Sequence, residues 1–99
     1  MGFEQQYDFS LVVNEAEKLV INELEKQLKD EPDETCLCSE CVLDMTSCAL
    51  NNVKPFYRFS LMGALYASFA IHDKEYAESI KTAVADAIER IKSNPGHTL

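Results

Sequence analysis

The chain has 99 residues, 46% of them hydrophobic and 26% charged, which is typical of one small globular domain. Its formal net charge of −8 argues against binding along a nucleic-acid polymer, because that requires clustered lysine and arginine. The charge is uneven, with a net of −9 in residues 1–50 and +1 in residues 51–99. We therefore expect any anionic ligand in the second half.

No segment of the sequence predicts export or a membrane span. Residues 1–10 are polar and lack the apolar core of a signal peptide. The longest uncharged, mainly apolar run covers residues 59–71, and these 13 residues are too few to cross a bilayer. We predict a cytoplasmic protein with no membrane insertion, folded as a single domain over residues 1–99, with flexible tips at 1–9 and 94–99.

Two amphipathic helices are predicted in the first half, because apolar side chains recur there every three or four residues. The first helix covers residues 10–28, and the acidic run 30–34 that follows is interpreted as an exposed linker. The second begins at Ser39, a good N-cap residue, and ends near Asn52. The stripes are Val12, Ala16, Leu19, Val20, Leu24, Gln27 and Leu28 in the first helix, and Val42, Met45 and Ala49 in the second.

The second half contains one clear helix, which Asp73 caps and Asn94-Pro95-Gly96 ends. Residues 55–72 are interpreted as an extended loop leading into a short helix, because Gly63 weakens a helical pattern there. The last helix has the apolar stripe Tyr76, Ile80, Ala83, Val84, Ala87, Ile88 and Ile91. Together these elements predict an all-α fold, a small bundle of three to four helices that dimerises through its long apolar stripes.

Three cysteines, Cys36, Cys38 and Cys41, stand close together at the loop before the second helix. Zinc prefers thiolates in a tetrahedral arrangement, and a C-x-x-C step closes easily around one ion. A helix N-terminus favours the thiolates that metals need, because the positive end of its dipole lowers the thiol pKa. A reducing cytoplasm also favours metal over disulfide. We therefore predict a structural zinc ion on these three cysteines.

The fourth ligand stays open. Cys48 lies seven residues after Cys41, which is about 10 Å along a continuous helix, so we interpret it as a core side chain. Water, His72, His97, a carboxylate or a neighbouring chain could complete the coordination. A cluster without metal is an alternative. A disulfide is less favoured, because the cytoplasm is reducing and Cys36 and Cys38 are poorly spaced for a relaxed bridge. A thioredoxin-like redox motif would need a βαβ pattern around it, and an iron–sulfur cluster would need four good ligands.

The sequence offers little for catalysis. It has no phosphate-binding glycine loop, no arrangement of serine, histidine and aspartate, and only two histidines. A hydrolytic zinc ion usually has histidine or carboxylate ligands, an open position and a nearby general base. We therefore expect a protein that is not an enzyme.

The segment from Cys36 to Tyr57 resembles the hallmark of the late competence development (ComFB-like) family of bacterial proteins. The shared features are the C-x-C-x-x-C knuckle, an aspartate three residues later, an Ala-Leu-Asn helix end and a Pro-x-Tyr turn. The similarity extends to Val-Asn-Glu-Ala-Glu-Lys-Leu-Val near the start of the first helix and to Ser-Asn-Pro-Gly-His after the last.

This resemblance implies a small helical homodimer with zinc on the cysteines. It also implies a receptor for a cyclic dinucleotide, with cyclic di-GMP as the best candidate, acting on an unknown downstream protein partner. An alternative from another class is a zinc-stapled protein–protein interaction module in competence or related regulation, without a small-molecule ligand. A thermal-shift screen in which no nucleotide of a panel changes the melting temperature would favour the alternative.

The candidate ligand site is Asn51, Lys54, Phe56, Tyr57 and Arg58, because these residues combine what a cyclic dinucleotide requires. Arginine and lysine bind phosphates, aromatic rings stack on purines, and an amide can bind base edges. From the residues alone, the simpler interpretation is that the aromatic rings belong to the core and the two cations are solvated. The resemblance favours the ligand site.

Overall fold

The computed structural model describes residues 2–96, apart from the side chains of residues 66, 67 and 69–71. Five helices lie in this part of the chain, together with a short 3-10 helix at Phe9–Leu11 and two strands of two residues each. The helices are α1 Phe3–Gln6, α2 Ala16–Leu28, α3 Ser39–Leu50, α4 Leu61–Ile71 and α5 Lys74–Ser93, and the strands are β1 Val13–Asn14 and β2 Tyr57–Arg58. The fold is thus mainly helical, as predicted, with a small sheet that the sequence did not indicate.

The core is formed by α2, α3 and α5, which pack on one another through the apolar stripes predicted from the sequence. The fully buried side chains include Val20 from α2, Met45 from α3 and Val84 from α5. Because these stripes are buried within one chain, they are not available as the dimerisation surface that we had predicted. A dimer would have to form through another surface.

The first predicted helix begins six residues later than expected, at Ala16 instead of residue 10. The Asn14 side chain explains the difference, because its Oδ1 accepts the N–H of Ala16 at 3.1 Å and that of Phe56 at 2.8 Å. Val13 and Asn14 then pair antiparallel with Arg58 and Tyr57. A pattern based on apolar spacing does not detect an asparagine whose side chain accepts N–H groups both at a helix start and on a distant segment.

The other helix ends agree more closely with the predictions. Asp73 caps α5 by accepting the N–H groups of Glu75 and Tyr76. The N-cap of α3 is Cys38, and Ser39 is the first helical residue, so the predicted cap is wrong by one position.

Helix α4 and the N-terminal arm, residues 3–12, stand apart from the three-helix core. Helix α4 contains no charged residue, and Leu61 at its start is 88% exposed. The rings of Phe3, Tyr7 and Phe9 in the arm form a cluster with centroids 5.1–6.2 Å apart, and each is exposed. The radius of gyration is 15.8 Å, against about 13 Å for a compact chain of 100 residues. Within residues 2–96, none of the helices has the length and apolar character that a membrane span requires.

Candidate metal centre

The structure brings the three predicted cysteine ligands together. The Sγ atoms of Cys36, Cys38 and Cys41 all lie within 4.8 Å of one another. Two of the thiols belong to the loop before α3, where Cys36 is half-buried and Cys38 is exposed, whereas Cys41 is in the first turn of α3 and only 1% exposed. The cluster therefore has a buried side, on the helix, and an accessible side, on the loop.

Cys38 is the thiol best prepared to bind a cation. As the N-cap of α3, its Sγ accepts the backbone N–H of Cys41 at 3.4 Å. This hydrogen bond, with a smaller contribution from Cys36, lowers the pKa of the Cys38 thiol. A cysteine in the N-cap position thus has two roles. Its sulfur accepts one of the unpaired N–H groups at the helix start, and the same hydrogen bond stabilises the thiolate.

Cys41 has the opposite environment. Burial raises the pKa of its thiol to about 12, and hydrogen bonds to Cys36 and Cys38 contribute in the same direction. Without a cation this thiol stays protonated at neutral pH, because burial disfavours its charged form. A bound cation removes that penalty, and its binding releases the proton.

The donor set and its spacing fit zinc. Thiolates at Zn–S distances of about 2.3 Å in a tetrahedral site lie about 3.8 Å apart, so the cluster needs only a small closure around the ion. Three sulfur donors suit zinc much better than calcium or magnesium, which prefer oxygen. A zinc ion held by these three side chains would connect the loop to α3 and so stabilise the folded chain.

The surroundings narrow the choice of a fourth ligand. A cavity of about 400 Å³ lies beside the cluster and is lined by Cys36, Cys41, Glu34, Lys92 and Pro95 among others. This places the cluster at the C-terminal end of α5. His72 lies before the other end of α5, which is 20 residues or about 30 Å long, so it does not reach the cluster within one chain. Glu34 lines the cavity, and His97 lies outside the described residues.

Cys48 packs against the core, as predicted. It is half-buried on α3, and it also lines a groove with Thr82, Asp86 and Arg90 of α5. Among the described residues, the group of thiols close enough to share one ion consists of Cys36, Cys38 and Cys41, without Cys48.

The residues predicted to bind a nucleotide lie at the other end of α3. Asn51 is exposed at the helix end, and the Lys54 Nζ lies 5.8 Å from the centroid of the Phe56 ring. Phe56 is half-buried and packs edge-on against Tyr76, with ring centroids 4.7 Å apart. Tyr57, in contrast, is 66% exposed on β2. Of the two predicted stacking rings, Tyr57 is thus accessible and Phe56 supports the core.

Arg58 is joined to a residue that the sequence did not single out. Its Nε donates to Glu15 Oε1 in a half-buried ion pair. Glu15 directly follows Asn14, whose side chain holds the backbone of Phe56. The only sequence signal for these two residues was their place in the Val-Asn-Glu segment shared with the family, and a helix prediction that began at residue 10 concealed their role.

A sequence model of the family "Late competence development protein ComFB" matches residues 13–95. The chain belongs to the ComFB family. Among solved structures, it is similar to one described as the structural characterization of the late competence protein ComFB from Bacillus subtilis, with a TM-score of 0.69 and 21% sequence identity. The likeness covers 86% of this chain and 92% of that one, so the two share a fold. The search of curated proteins gave no match.

Proposed function

We propose that this ComFB-family protein is a non-enzymatic, cytoplasmic regulator that binds a cyclic dinucleotide, with cyclic di-GMP as the preferred candidate, and that a zinc ion staples its fold. The observation that supports the ligand is the exposed ring of Tyr57 on β2, which lies within a few residues of the cations Lys54 and Arg58 in the sequence. Between Lys29 and Lys74, the sequence has no lysine or arginine other than these two. They lie in residues 51–99, whose net charge is +1.

Each residue has a distinct role in this proposal. The Tyr57 ring stacks on a purine, Lys54 and Arg58 bind phosphate oxygens, and Asn51 binds a base edge. The pair with Glu15 uses the Arg58 Nε, and a guanidinium group carries four further N–H donors with which it can bind a phosphate. In this proposal Glu15 does not contact the ligand, and Phe56 supports the site from the core.

Calorimetry with cyclic di-GMP tests this function. We expect Arg58→Ala to abolish binding while helicity and metal content stay unchanged, because the phosphate loses its bidentate partner. Arg58→Ala also breaks the ion pair, so Glu15→Gln is the matched control, since it removes the pair but keeps the guanidinium group. Retained binding in Glu15→Gln together with loss in Arg58→Ala supports the assignment. Undiminished affinity in Arg58→Ala would refute it.

The alternative, a zinc-stapled protein–protein interaction module, is favoured by a different surface. A groove of about 430 Å³ in the N-terminal arm is lined mainly by apolar side chains, among them Phe3, Phe9 and Phe59. A thermal-shift screen with cyclic di-GMP, cyclic di-AMP and linear dinucleotides distinguishes the two functions. A ligand at about 100 times its dissociation constant adds roughly 2.7 kcal/mol of stability, which is easily seen in a domain of this size. A screen without any shift would favour the interaction module.

We also propose that the protein is a homodimer. Helix α4 is apolar around most of its circumference, and a helix of that kind is normally buried. Its first residues, Leu61 and Met62, are exposed, as are the rings of the arm. A second copy is the partner that the family resemblance favours.

A further inference from the structure

The loop between α2 and α3, residues 29–38, carries two of the three thiols, so its conformation decides where Cys36 and Cys38 lie. The loop forms one turn of its own, in which the Thr35 N–H donates to the Pro32 carbonyl at 3.0 Å. Thr35 is also buried, at 8% exposure, directly before the first thiol. These contacts shape the turn locally, but they do not connect the loop to α5.

An ion pair makes that connection. Lys92 Nζ on α5 lies 3.0 Å from Glu31 Oε1 in the loop, and the same carboxylate oxygen is 3.5 Å from the Thr35 hydroxyl. The hydrogen bond from Lys92 to Glu31 raises the pKa of the lysine, and the charges of Glu31, Glu89 and Glu34 add to this. The pair joins residues 61 positions apart in the sequence.

This pair is less exposed to solvent than the other ion pair of the loop. The Lys92 and Glu31 side chains are 35% and 23% exposed. The pair between Lys29 and Glu25, at the start of the same loop, is 3.7 Å long with side chains 73% and 75% exposed. Exposed pairs contribute little to structure, because water screens them and both side chains must be ordered. The Lys92–Glu31 pair is therefore the more effective constraint.

The pair is also close to the cysteine cluster. Lys92 lines the same cavity as Cys36 and Cys41, together with Glu34. Residues that hold metal ligands in place from outside the coordination sphere typically change metal affinity by 10- to 100-fold when they are lost. Here two contacts hold the loop that must close around the ion. The Cys41 N–H of α3 binds the sulfur of Cys38, and Lys92 of α5 binds the carboxylate of Glu31.

We propose that Lys92 is a positioning residue of the metal centre, which clasps Glu31 and so holds the loop in the conformation that lets Cys36 and Cys38 join Cys41 on one ion. This inference rests on the proposed zinc site and identifies what prepares that site before the metal arrives. It assigns to the ion pair an effect on metal affinity, in addition to any effect on stability.

Zinc affinity, measured by competition with a chromophoric chelator, tests the clasp, and the cobalt(II) spectrum reports the sulfur coordination. All variants are compared at a temperature at which circular dichroism shows them folded. We expect Lys92→Met and Glu31→Gln each to weaken zinc binding about tenfold. Lys92→Arg should keep the affinity, because arginine can make the same pair. Lys29→Met is the matched control, which removes the exposed pair and should leave the affinity within about twofold of the wild type.

Glu31→Gln separates the clasp from a simple effect of charge. If Lys92 acted only by attracting thiolates, removal of the nearby carboxylate would leave zinc binding unchanged or strengthen it, whereas the clasp predicts weaker binding. Unchanged affinity in Glu31→Gln or Lys92→Met overturns the inference while the wild type still binds zinc. A wild type that binds no zinc refutes the metal centre and the clasp together. Calorimetry with cyclic di-GMP is an independent measurement of the rest of the proposed function.

Discussion

Two side chains have a large influence because each serves two parts of the structure at once. Asn14 accepts the N–H that begins α2 and the N–H of Phe56, and so joins the helix start to the strand pair. Cys38 caps α3 and belongs to the thiol cluster. In both cases a short polar side chain lies just before a helix, where unpaired N–H groups need an acceptor.

Replacement of Asn14 by alanine should destabilise the protein by about 2 kcal/mol, because the N–H groups of Ala16 and Phe56 both lose their acceptor. The free energy of unfolding in urea measures this effect. Asn22→Ala, at an exposed position of α2, is the matched control and should stay within about 0.5 kcal/mol of the wild type. Equal stability of the two variants would contradict the linking role of Asn14.

The position of Cys48 predicts that it contributes to packing and not to metal binding. Native mass spectrometry should find one zinc ion per chain in Cys48→Ala, as in the wild type, and none in Cys38→Ser. The first variant should lose some stability, because Cys48 packs against the core. Loss of zinc from Cys48→Ala would show that four cysteines hold the ion.

At the scale of elements, α4 differs from the other long helices. Helices α2, α3 and α5 each have one apolar stripe that the core covers, whereas α4 has no charged residue from Leu61 to Ile71. It packs on β2 and α5, yet its first residues remain exposed. This helix and the arm form the apolar surface on which the proposed homodimer depends.

Replacement of Leu61 by glutamate should convert the proposed dimer to a monomer, because a charge in a dry interface is costly to bury. Light scattering after size-exclusion chromatography measures the mass. Ile21→Glu is the matched control, since Ile21 is also an exposed apolar residue but lies on α2, and it should remain dimeric. If Leu61→Glu keeps the mass of the wild type, α4 is not the interface.

At the scale of the whole molecule, the two proposed sites lie at opposite ends of α3. The thiol cluster is at its N-terminus, beside the end of α5, and Asn51 and Lys54 follow its C-terminus. The antiparallel packing of α3 on α5 keeps these ends apart, so a zinc ion on the cysteines would not contact a nucleotide bound at the proposed ligand site. The Tyr76 hydroxyl donates to the Lys54 carbonyl at 2.7 Å and so connects the segment after the C-terminus of α3 to the start of α5.

The sequence by itself was sufficient to predict the three core helices, the thiol cluster and the core position of Cys48. Helical apolar periodicity and the spacing of cysteines are local properties. They are retained in the fold because the core buries the apolar stripes and because three thiols within six residues stay close together. Both ends of α5 were predicted for the same reason, the start from Asp73 and the end from Asn94-Pro95-Gly96.

The tertiary structure alone decided how distant residues meet. The start of α2 depends on a hydrogen bond from Asn14 to a residue 42 positions away, and the Arg58–Glu15 and Lys92–Glu31 pairs span 43 and 61 positions. No periodicity encodes such contacts, because they form only when the packing of α2, α3 and α5 brings the chain segments together. The same packing buries the long stripes, and it thereby leaves α4 and the arm as the exposed apolar surface.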